Sequence, residues 1–387
     1  MKRIFLVLLC LCLLLAACGG KDEGVKEPET LPDLPESILQ VEPTPDTTDY
    51  AAALSAVFTV EETVQTDFAY SVAEGAATLT AYTGEAAVVR VPALLGGVPV
   101  TKIAEGVFQN REQLKVLILP ATVTHFGTDF LKNTALTALC TPLLDDGNKS
   151  FLKSITYLKL LAVPSAAQAF MLPANYLENC NALVALELPA GSELGDFALV
   201  NCKKLMYLNA DVLTKVGEKA LEGCSSLQSL KFGTGLSQLG FAALRDCNSL
   251  MELEIPFVGT SAAKQTGEPS ERTDYLGYLF GAEKPAFAKG FYPAFLKKIT
   301  LLEGCVELPD FAFYECASLQ VLSLPTTLTR VGGRALSGCT ALTELILPGA
   351  CTVIGDAACA GCTALSRVQM PDEIAVGQNA FLGCPLE

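Results

Sequence analysis

Residues 335–355 read ALSGCTALTELILPGACTVIG, and residues 358–377 repeat the same landmarks 22 or 23 positions later. The alternation of Leu345 and Leu347 predicts a short strand with one buried face, because successive side chains of a strand point to opposite sides. Pro348 ends that strand, since proline cannot donate to a sheet ladder. A glycine near the end of each stretch supplies a turn. Each repeat is therefore predicted to contain one short strand and one glycine turn.

The same landmarks recur along most of the chain. One column holds two asparagines and eight cysteines, at Asn110, Asn133, Cys180, Cys202, Cys224, Cys247, Cys316, Cys339, Cys362 and Cys384. A leucine follows three positions after most of them, at Leu183, Leu205, Leu227, Leu250, Leu319, Leu342 and Leu365. The steps along the column are 22 or 23 residues, apart from gaps of 47 and 69 residues. Both gaps are near multiples of the period and indicate missing coils or insertions.

A repeat of this length is too short to enclose a hydrophobic core by itself. Each coil must stack on its neighbours, so that the leucines form one continuous internal column. The sequence therefore predicts a solenoid with a parallel sheet, built from about 12 stacked coils of 22–23 residues each.

The repeated pattern A-F-x-x-C-x-x-L-x-x-L-x-L-P, followed by isoleucine and glycine, closely resembles the BspA-type leucine-rich repeat of bacterial surface proteins. The stretch from Phe68 to Ile103 also resembles the first repeat of that family, and the likeness covers residues 68–387. The resemblance implies a leucine-rich-repeat solenoid, an α/β horseshoe-like fold that is mostly β. It also implies a surface-exposed, non-catalytic binding protein, used for adhesion to host matrix or to other cells.

The N-terminus reads as an export signal. Lys2 and Arg3 precede an apolar run over residues 4–17, which is too short to span a bilayer as a helix and is typical of a secretory signal. The run ends in Leu-Ala-Ala-Cys, which resembles the lipobox of bacterial lipoproteins and implies acylation of Cys18. An ordinary cleaved signal with a chance cysteine at this position is the alternative. The lipobox predicts a protein exposed on the extracytoplasmic face of the membrane, touching the bilayer only through Cys18.

The sequence divides into four segments. A lipoprotein signal peptide occupies residues 1–17, and residues 18–50 are acidic and proline-rich, which predicts an extended, solvated tether. Residues 51–67 form a pre-repeat segment before the solenoid of residues 68–387. An aromatic-rich insertion interrupts the repeats at residues 257–295.

The composition weighs against several functional classes. A net charge of −15 and a pI near 4.6 deprive the protein of the cationic field that nucleic acids require. The single histidine, His125, offers little for acid–base or metal chemistry. Ser150 and Lys153 fit S-x-x-K without its companion motifs, and Asp145–Asn148 reads as a turn instead of a calcium loop. We predict no enzymatic activity, with an envelope enzyme as the least favoured alternative.

The cysteine column leaves three alternatives. Interior thiols that donate weakly to turn carbonyls are favoured, because the column faces the inside of the coils. Some disulfide bridges or a metal site are the other two, since the compartment is oxidising. Cys359 and Cys362 match C-x-x-C, but their places in the repeat predict that both are buried. Neither a metal nor a cofactor is predicted.

The outward side chains of the strands form the only extended surface that a regular solenoid offers to a partner. By alternation they are Val116 and Ile118, Ala185 and Glu187, Tyr207 and Asn209, Ser229 and Lys231, Glu252 and Glu254, Val321 and Ser323, Glu344 and Ile346, and Arg367 and Gln369. We predict a protein-binding patch centred on Tyr207, Asn209, Lys231, Glu252 and Glu254. The partner would be a protein or glycan on host, matrix or neighbouring cell surfaces.

The insertion at 257–295 adds a second candidate region. Tyr275, Tyr278 and Phe280 lie in it, and aromatic side chains are common in interface hot spots. Exposed, coplanar rings there would favour a glycan-binding lipoprotein over an adhesin or protein-interaction module. The alternative is that the rings pack onto the edge of the solenoid.

Overall fold

The computed structural model describes residues 43–142, 152, 155–164, 169–262 and 273–386. Over these ranges the chain forms a solenoid of short β-strands with little helix.

The elements of the first half, in chain order, are α1 (Tyr50–Phe58), β1 (Phe68–Ala73), β2 (Ala76–Tyr82), β3 (Val88–Arg90), β4 (Leu94–Leu95), β5 (Val98–Ile103), β6 (Val116–Ile118), β7 (His125–Phe126), β8 (Ala138–Cys140), β9 (Leu160–Ala162), β10 (Met171–Leu172), β11 (Ala185–Glu187), β12 (Glu193–Leu194), β13 (Tyr207–Leu208) and β14 (Lys215–Val216). Those of the second half are β15 (Ser229–Lys231), β16 (Gln238–Leu239), β17 (Glu252–Ile255), α2 (Leu276–Leu279), β18 (Lys298–Leu301), β19 (Glu307–Leu308), β20 (Val321–Ser323), β21 (Arg330–Val331), β22 (Glu344–Ile346), β23 (Val353–Ile354), β24 (Arg367–Gln369) and β25 (Ala375–Val376). Short 3₁₀ turns occur at Gln65–Asp67, Ala210–Val212 and Pro285–Gly290.

The main sheet takes one strand from each coil. Across the described ranges twelve strands follow one another on this side of the solenoid, in three hydrogen-bonded groups that together we call the main sheet: β3-β6-β8-β9-β11-β13, β15-β17-β18-β20 and β22-β24. β13 lies against β15, and β20 against β22. Register is kept from coil to coil, because Leu186 pairs with Leu161 on one side and with Leu208 on the other, both in parallel. The predicted solenoid of about 12 stacked coils with a parallel sheet is confirmed.

The hydrophobic core runs continuously through the coils. In most strands of the main sheet one central residue points inward and is buried, as at Leu117, Leu139, Leu161, Leu186, Leu208, Leu230, Leu253, Ile299, Leu322 and Leu345. Burying one such side chain stabilises the fold by about 1.5–3 kcal/mol. Stability therefore comes from the stacking of coils that are too small to fold alone.

The apolar residue that precedes the glycine of each repeat, as Ile354 precedes Gly355, lies in a second set of narrow parallel sheets, with the orders β10-β12-β14-β16 and β19-β21-β23-β25. A Cβ added to Gly240 would lie 2.4 Å from the backbone nitrogen of Glu218 in the preceding coil. Only glycine lets the two backbones approach so closely. The glycine of the repeat is therefore a packing requirement as well as a turn.

One residue before each cysteine position the backbone has a positive φ. This column contains Asn179, Asn201, Gly223, Asp246, Glu315, Gly338, Gly361 and Gly383. Asn110 (φ 61°) and Asn133 (φ 58°) belong to it, so their assignment to the cysteine column is wrong by one position. Asparagine and glycine tolerate this left-handed conformation better than other residues. The Asn133 amide donates to Oδ1 of Asn110 at 2.8 Å, which links the two coils.

The two long gaps in the repeat differ in structure. In the gap of 47 residues β9 pairs with both β8 and β11, so the parallel sheet continues through it. In the gap of 69 residues β17 pairs directly with β18, and β18 with β20. The additional chain of the insertion lies elsewhere in the coil: α2 bridges two coils through Leu244 N to Leu279 O and Leu276 N to Ala312 O, both 2.8 Å.

Candidate protein-binding face

The outer side of the main sheet is covered over its first strands. The outer side chains there are apolar and buried, at Val116, Ile118, Ala138, Cys140, Leu160, Ala162 and Ala185. Helix α1 lies on them and forms one hydrophobic cluster with them. The prediction that Val116, Ile118 and Ala185 belong to an open surface is wrong, because a helix from before the repeats covers them.

Helix α1 is built to pack on this surface. Tyr50, Leu54 and Val57 are its buried residues, and their spacing of four and three places them on one face of the helix. The Asp49 carboxylate caps its N-terminus by accepting from the Ala52 amide at 2.9 Å. At the other end the Arg90 guanidinium donates to the carbonyls of Phe58 and Val60, at 3.1 and 3.2 Å. We call residues 43–64, which include α1, the strap.

The N-terminal part of the strap also lies on the solenoid. The Gln228 side chain accepts from the Asp46 amide at 2.7 Å and donates to the Thr44 carbonyl at 3.0 Å. The Tyr50 ring stacks on Tyr207, with centroids 6.1 Å apart and planes at 24°. Residues 43–50, which the sequence analysis assigns to a solvated tether, are thus in contact with the sheet. Cys18 and the rest of the tether lie outside the described residues.

Beyond Tyr207 the outer side of the sheet is open. We call the outer side chains of β15, β17, β18, β20, β22 and β24 the open face. Lys231 is exposed and lies beside Glu254 of the next strand, while Glu252 pairs with Lys298 at 3.5 Å. Val321 and Ile346 are 49% and 48% exposed. The open face thus mixes charged and apolar side chains.

Two residues of the predicted patch have structural roles. The Asn209 amide accepts from the backbone nitrogen of Leu188 at 2.9 Å and donates to its carbonyl at 2.8 Å. These bonds tie the Asn209 side chain to the preceding coil, and its contact with a partner stays a prediction. Tyr207 is half-buried beneath Tyr50. Of the five patch residues, Lys231, Glu252 and Glu254 remain on the open face.

A groove lies where the strap meets the open face. It encloses about 610 Å³ and is lined by Asp46, Tyr207, Asp211, Lys231 and Glu254, among others. We call it the strap groove. Burial raises the pKa of the Tyr207 hydroxyl, and the carboxylates of Glu187, Asp211 and Asp49 raise it further. The region around the tyrosine therefore carries a negative field.

The aromatic residues of the insertion pack onto the solenoid. Tyr275 and Phe280 are each 1% exposed, and the Tyr275 hydroxyl donates to the carbonyl of Ala282 at 2.6 Å. Tyr278 is half-buried and packs edge-on against Phe241, with ring centroids 5.1 Å apart. The placement of Tyr275 and Phe280 at a binding surface is wrong, because their rings fill the interior of the insertion. They form no exposed, coplanar platform for a sugar ring.

The cysteine column lies inside the coils as free thiols. The thiol of Cys202 donates to the carbonyl of Leu177 at 3.2 Å, and the same bond recurs from Cys224, Cys247, Cys339, Cys362 and Cys384. Burial raises the pKa of Cys247 and Cys316 to about 12. Cys180 and Cys384 are half-buried, whereas Cys359 and Cys362 of the C-x-x-C motif are both buried.

Other candidate chemistry is limited in the part of the chain that the structure describes. There, no group of three or more histidine, cysteine or acidic side chains could hold a metal ion. None of the helices in the same ranges has the length and apolar character needed to cross a bilayer. Asp145–Asn148, Ser150 and Lys153 lie outside the described residues.

The repeat and its geometry define a leucine-rich-repeat solenoid. Residues 97–157, 147–265 and 288–387 match the BspA type leucine rich repeat region, in six copies. The chain therefore belongs to the BspA-type leucine-rich-repeat family. No curated protein matches the sequence.

Solved structures that resemble this chain come from several bacteria. A leucine-rich repeat protein from Bacteroides ovatus is 21% identical, over 84% of this chain and 92% of that chain, with a TM-score of 0.29. A leucine rich cell surface protein from Faecalibacterium prausnitzii is 18% identical, over 85% and 95%, with a TM-score of 0.23. The T. pallidum leucine-rich repeat protein is 17% identical, over 73% and 91%, with a TM-score of 0.26. At such identities and TM-scores, the likenesses say nothing of what this chain binds.

Proposed function

We propose that the protein is a non-catalytic binding protein, anchored to the bacterial membrane and exposed at the cell surface, whose open face contacts a protein on a host, matrix or neighbouring cell surface. The observation that supports this proposal is the change in the main sheet at Tyr207. Before it the outer side chains are apolar and lie under the strap, and after it they are largely polar and face solvent.

The open face suits a protein partner for a physical reason. Parallel strands repeat about every 4.8 Å, so the outer side chains stand in fixed rows on a rigid support. A partner that docks on such rows orders few side chains, which lowers the entropy cost of binding. Ion pairs also connect neighbouring strands, such as Arg367 with Glu344 at 2.8 Å.

Membrane anchoring is proposed from the sequence around Cys18. A diacylglyceryl thioether at this residue would hold the protein firmly, because two acyl chains bind a membrane far more stably than one. The test is the partition of the mature protein into a detergent phase. The protein from its membrane is expected in the detergent phase, and the same chain produced from residue 19 onward, without the apolar run and Cys18, in the aqueous phase; partition of both proteins into the same phase would contradict the anchor.

The binding proposal is tested with two matched double variants of the chain produced from residue 19 onward. Val321→Arg with Ser323→Arg places two charges on the open face, and Gln238→Arg with Val353→Arg places two charges on the narrow sheets. Binding of each chain to intact cells and to matrix proteins is measured. The open-face variant is expected to lose about tenfold in affinity, with the control unchanged. Equal binding by both variants, with circular dichroism unchanged, would remove the open face from consideration.

A further inference from the structure

The strap groove has the dimensions of a binding site. Its volume of about 610 Å³ lies within the range of pockets that hold ligands. The strap forms one wall through Asp46, Thr48 and Tyr50, and the sheet forms the floor through Tyr207 and Phe232. The groove opens onto the open face, since Lys231 and Glu254 also line it.

The charges in the groove are unbalanced. The carboxylates of Asp46, Asp211 and Glu254 line it, against the single ammonium group of Lys231 among the described lining residues. Asp46 and Asp211 are exposed, and Glu254 is half-buried. Within the described ranges no ion pair engages Asp211 or Glu254. Lys231 lies beside Glu254 on the neighbouring strand. Among the described residues, a cationic side chain entering the groove would therefore meet Asp211 without a competing cation and would share Glu254 with Lys231.

The surface beside the groove already binds an extended chain. Gln228 joins the carbonyl of Thr44 and the amide of Asp46, two residues apart, as a neighbouring strand would. Gln228 bonds only backbone groups of this chain, so the contact does not require particular side chains in the bound segment. The hydroxyls of Ser226 and Thr234 line the same groove and can bond further backbone groups.

We propose that the strap groove binds an extended, lysine- or arginine-rich segment of a partner protein. The inference rests on the proposed function and names the chemistry of its partner. Asp211 and Glu254 supply the counter-charges for the cation. A protein of net charge −15 also steers cationic partners toward it, which raises the association rate at low salt.

The test uses fluorescence anisotropy with the full mature chain. The probe is a fluorescein-labelled peptide of alternating lysine and alanine, and the control peptide has glutamine in place of lysine. The double variant Asp211→Asn with Glu254→Gln is expected to bind the lysine peptide about tenfold more weakly at low salt. The matched double variant Asp372→Asn with Glu373→Gln removes two exposed carboxylates from a distant coil and is expected to bind as the wild type does.

Two results would overturn the inference. If the glutamine peptide bound as tightly as the lysine peptide, the carboxylates of the groove would not be what recognises the segment. Equal weakening by the two double variants would show attraction to the whole protein and not to the groove. Either result leaves the proposed function standing as long as the Val321→Arg, Ser323→Arg variant still loses binding to cells. Groove-dependent peptide binding without that loss would instead keep the groove and overturn the open face as the site of adhesion.

Discussion

The ring of Tyr50 in the strap stacks on the ring of Tyr207 in β13, with centroids 6.1 Å apart and planes at 24°. The two residues are far apart in the sequence, and their contact marks where the outer side of the main sheet changes character. On one side of it the sheet is apolar and covered, and on the other side it is open. A helix from before the repeats therefore sets which part of the solenoid a partner can reach.

The strap should contribute measurably to stability. Leu54 is fully buried against the apolar outer side chains of the first strands. Leu54→Ala is expected to lower the free energy of unfolding by about 2–5 kcal/mol, because it removes buried methyl groups and leaves a cavity. The measurement is urea denaturation followed by circular dichroism. Ser55→Ala, on the exposed side of the same helix, should change the free energy of unfolding by less than about 0.5 kcal/mol. If the two variants changed this free energy equally, the packing of Leu54 on the sheet would be contradicted.

The cysteines of the column should be unreactive in the folded protein. The thiolate is the reactive form, and burial raises the pKa of Cys247 to about 12 and that of Cys224 well above its usual value. Iodoacetamide at pH 8, followed by peptide mass spectrometry, is expected to leave both unmodified while the half-buried Cys384 reacts. Both should react fully in guanidinium chloride. Rapid labelling of Cys224 under native conditions would contradict the interior placement.

Glu187 should make stability depend on pH. Burial raises the pKa of its carboxyl above the ordinary 4.5, so the charged form is disfavoured in the folded protein. The contribution of Glu187 to stability is greatest below about pH 4.5, where its carboxyl is protonated in both states, and is lost as pH rises through the folded-state pKa. Glu187→Gln is expected to raise the melting temperature at pH 7 and to have no effect well below pH 4.5. The exposed Glu105→Gln serves as the control, and an equal gain for Glu187→Gln at both pH values would refute this explanation.

The insertion should be a structural part and not a contact surface. Tyr275→Phe removes the bond to the buried carbonyl of Ala282 and is expected to cost about 1–3 kcal/mol. Its binding to cells should match that of the wild type at a temperature where both are folded. If Tyr275→Phe lost binding to cells without losing stability, the insertion would instead be part of the contact surface.

The repeat could be predicted from the sequence because its rules are local. An alternating pair such as Leu345 and Leu347 predicts a short strand in each repeat. The stacking of the coils then follows from the fixed period of the repeat. The half-buried state of Cys180 and Cys384 and the one-position shift of Asn110 are details that depend on the exact geometry of neighbouring coils.

The division of the binding face could not be predicted in the same way. The apolar outer residues Val116 and Ile118 indicate that this part of the sheet is covered, since a solvated strand face would carry polar side chains there. The spacing of Tyr50, Leu54 and Val57 indicates a helix with one apolar face. Joining the two signals requires knowing that a short helix turns back over distant coils, which no local rule states. The role of Asn209 likewise depends on a bond to the preceding coil.

Hydroxyl-radical footprinting of the full mature chain tests the division of the main sheet most directly. Val116 and Leu160 lie under the strap, whereas Val321 and Ile346 lie on the open face. The covered pair is predicted to oxidise about tenfold more slowly than the open pair, and Leu54→Asp should raise the rates at the covered pair alone. Equal oxidation of the two pairs in the wild-type protein would contradict the account.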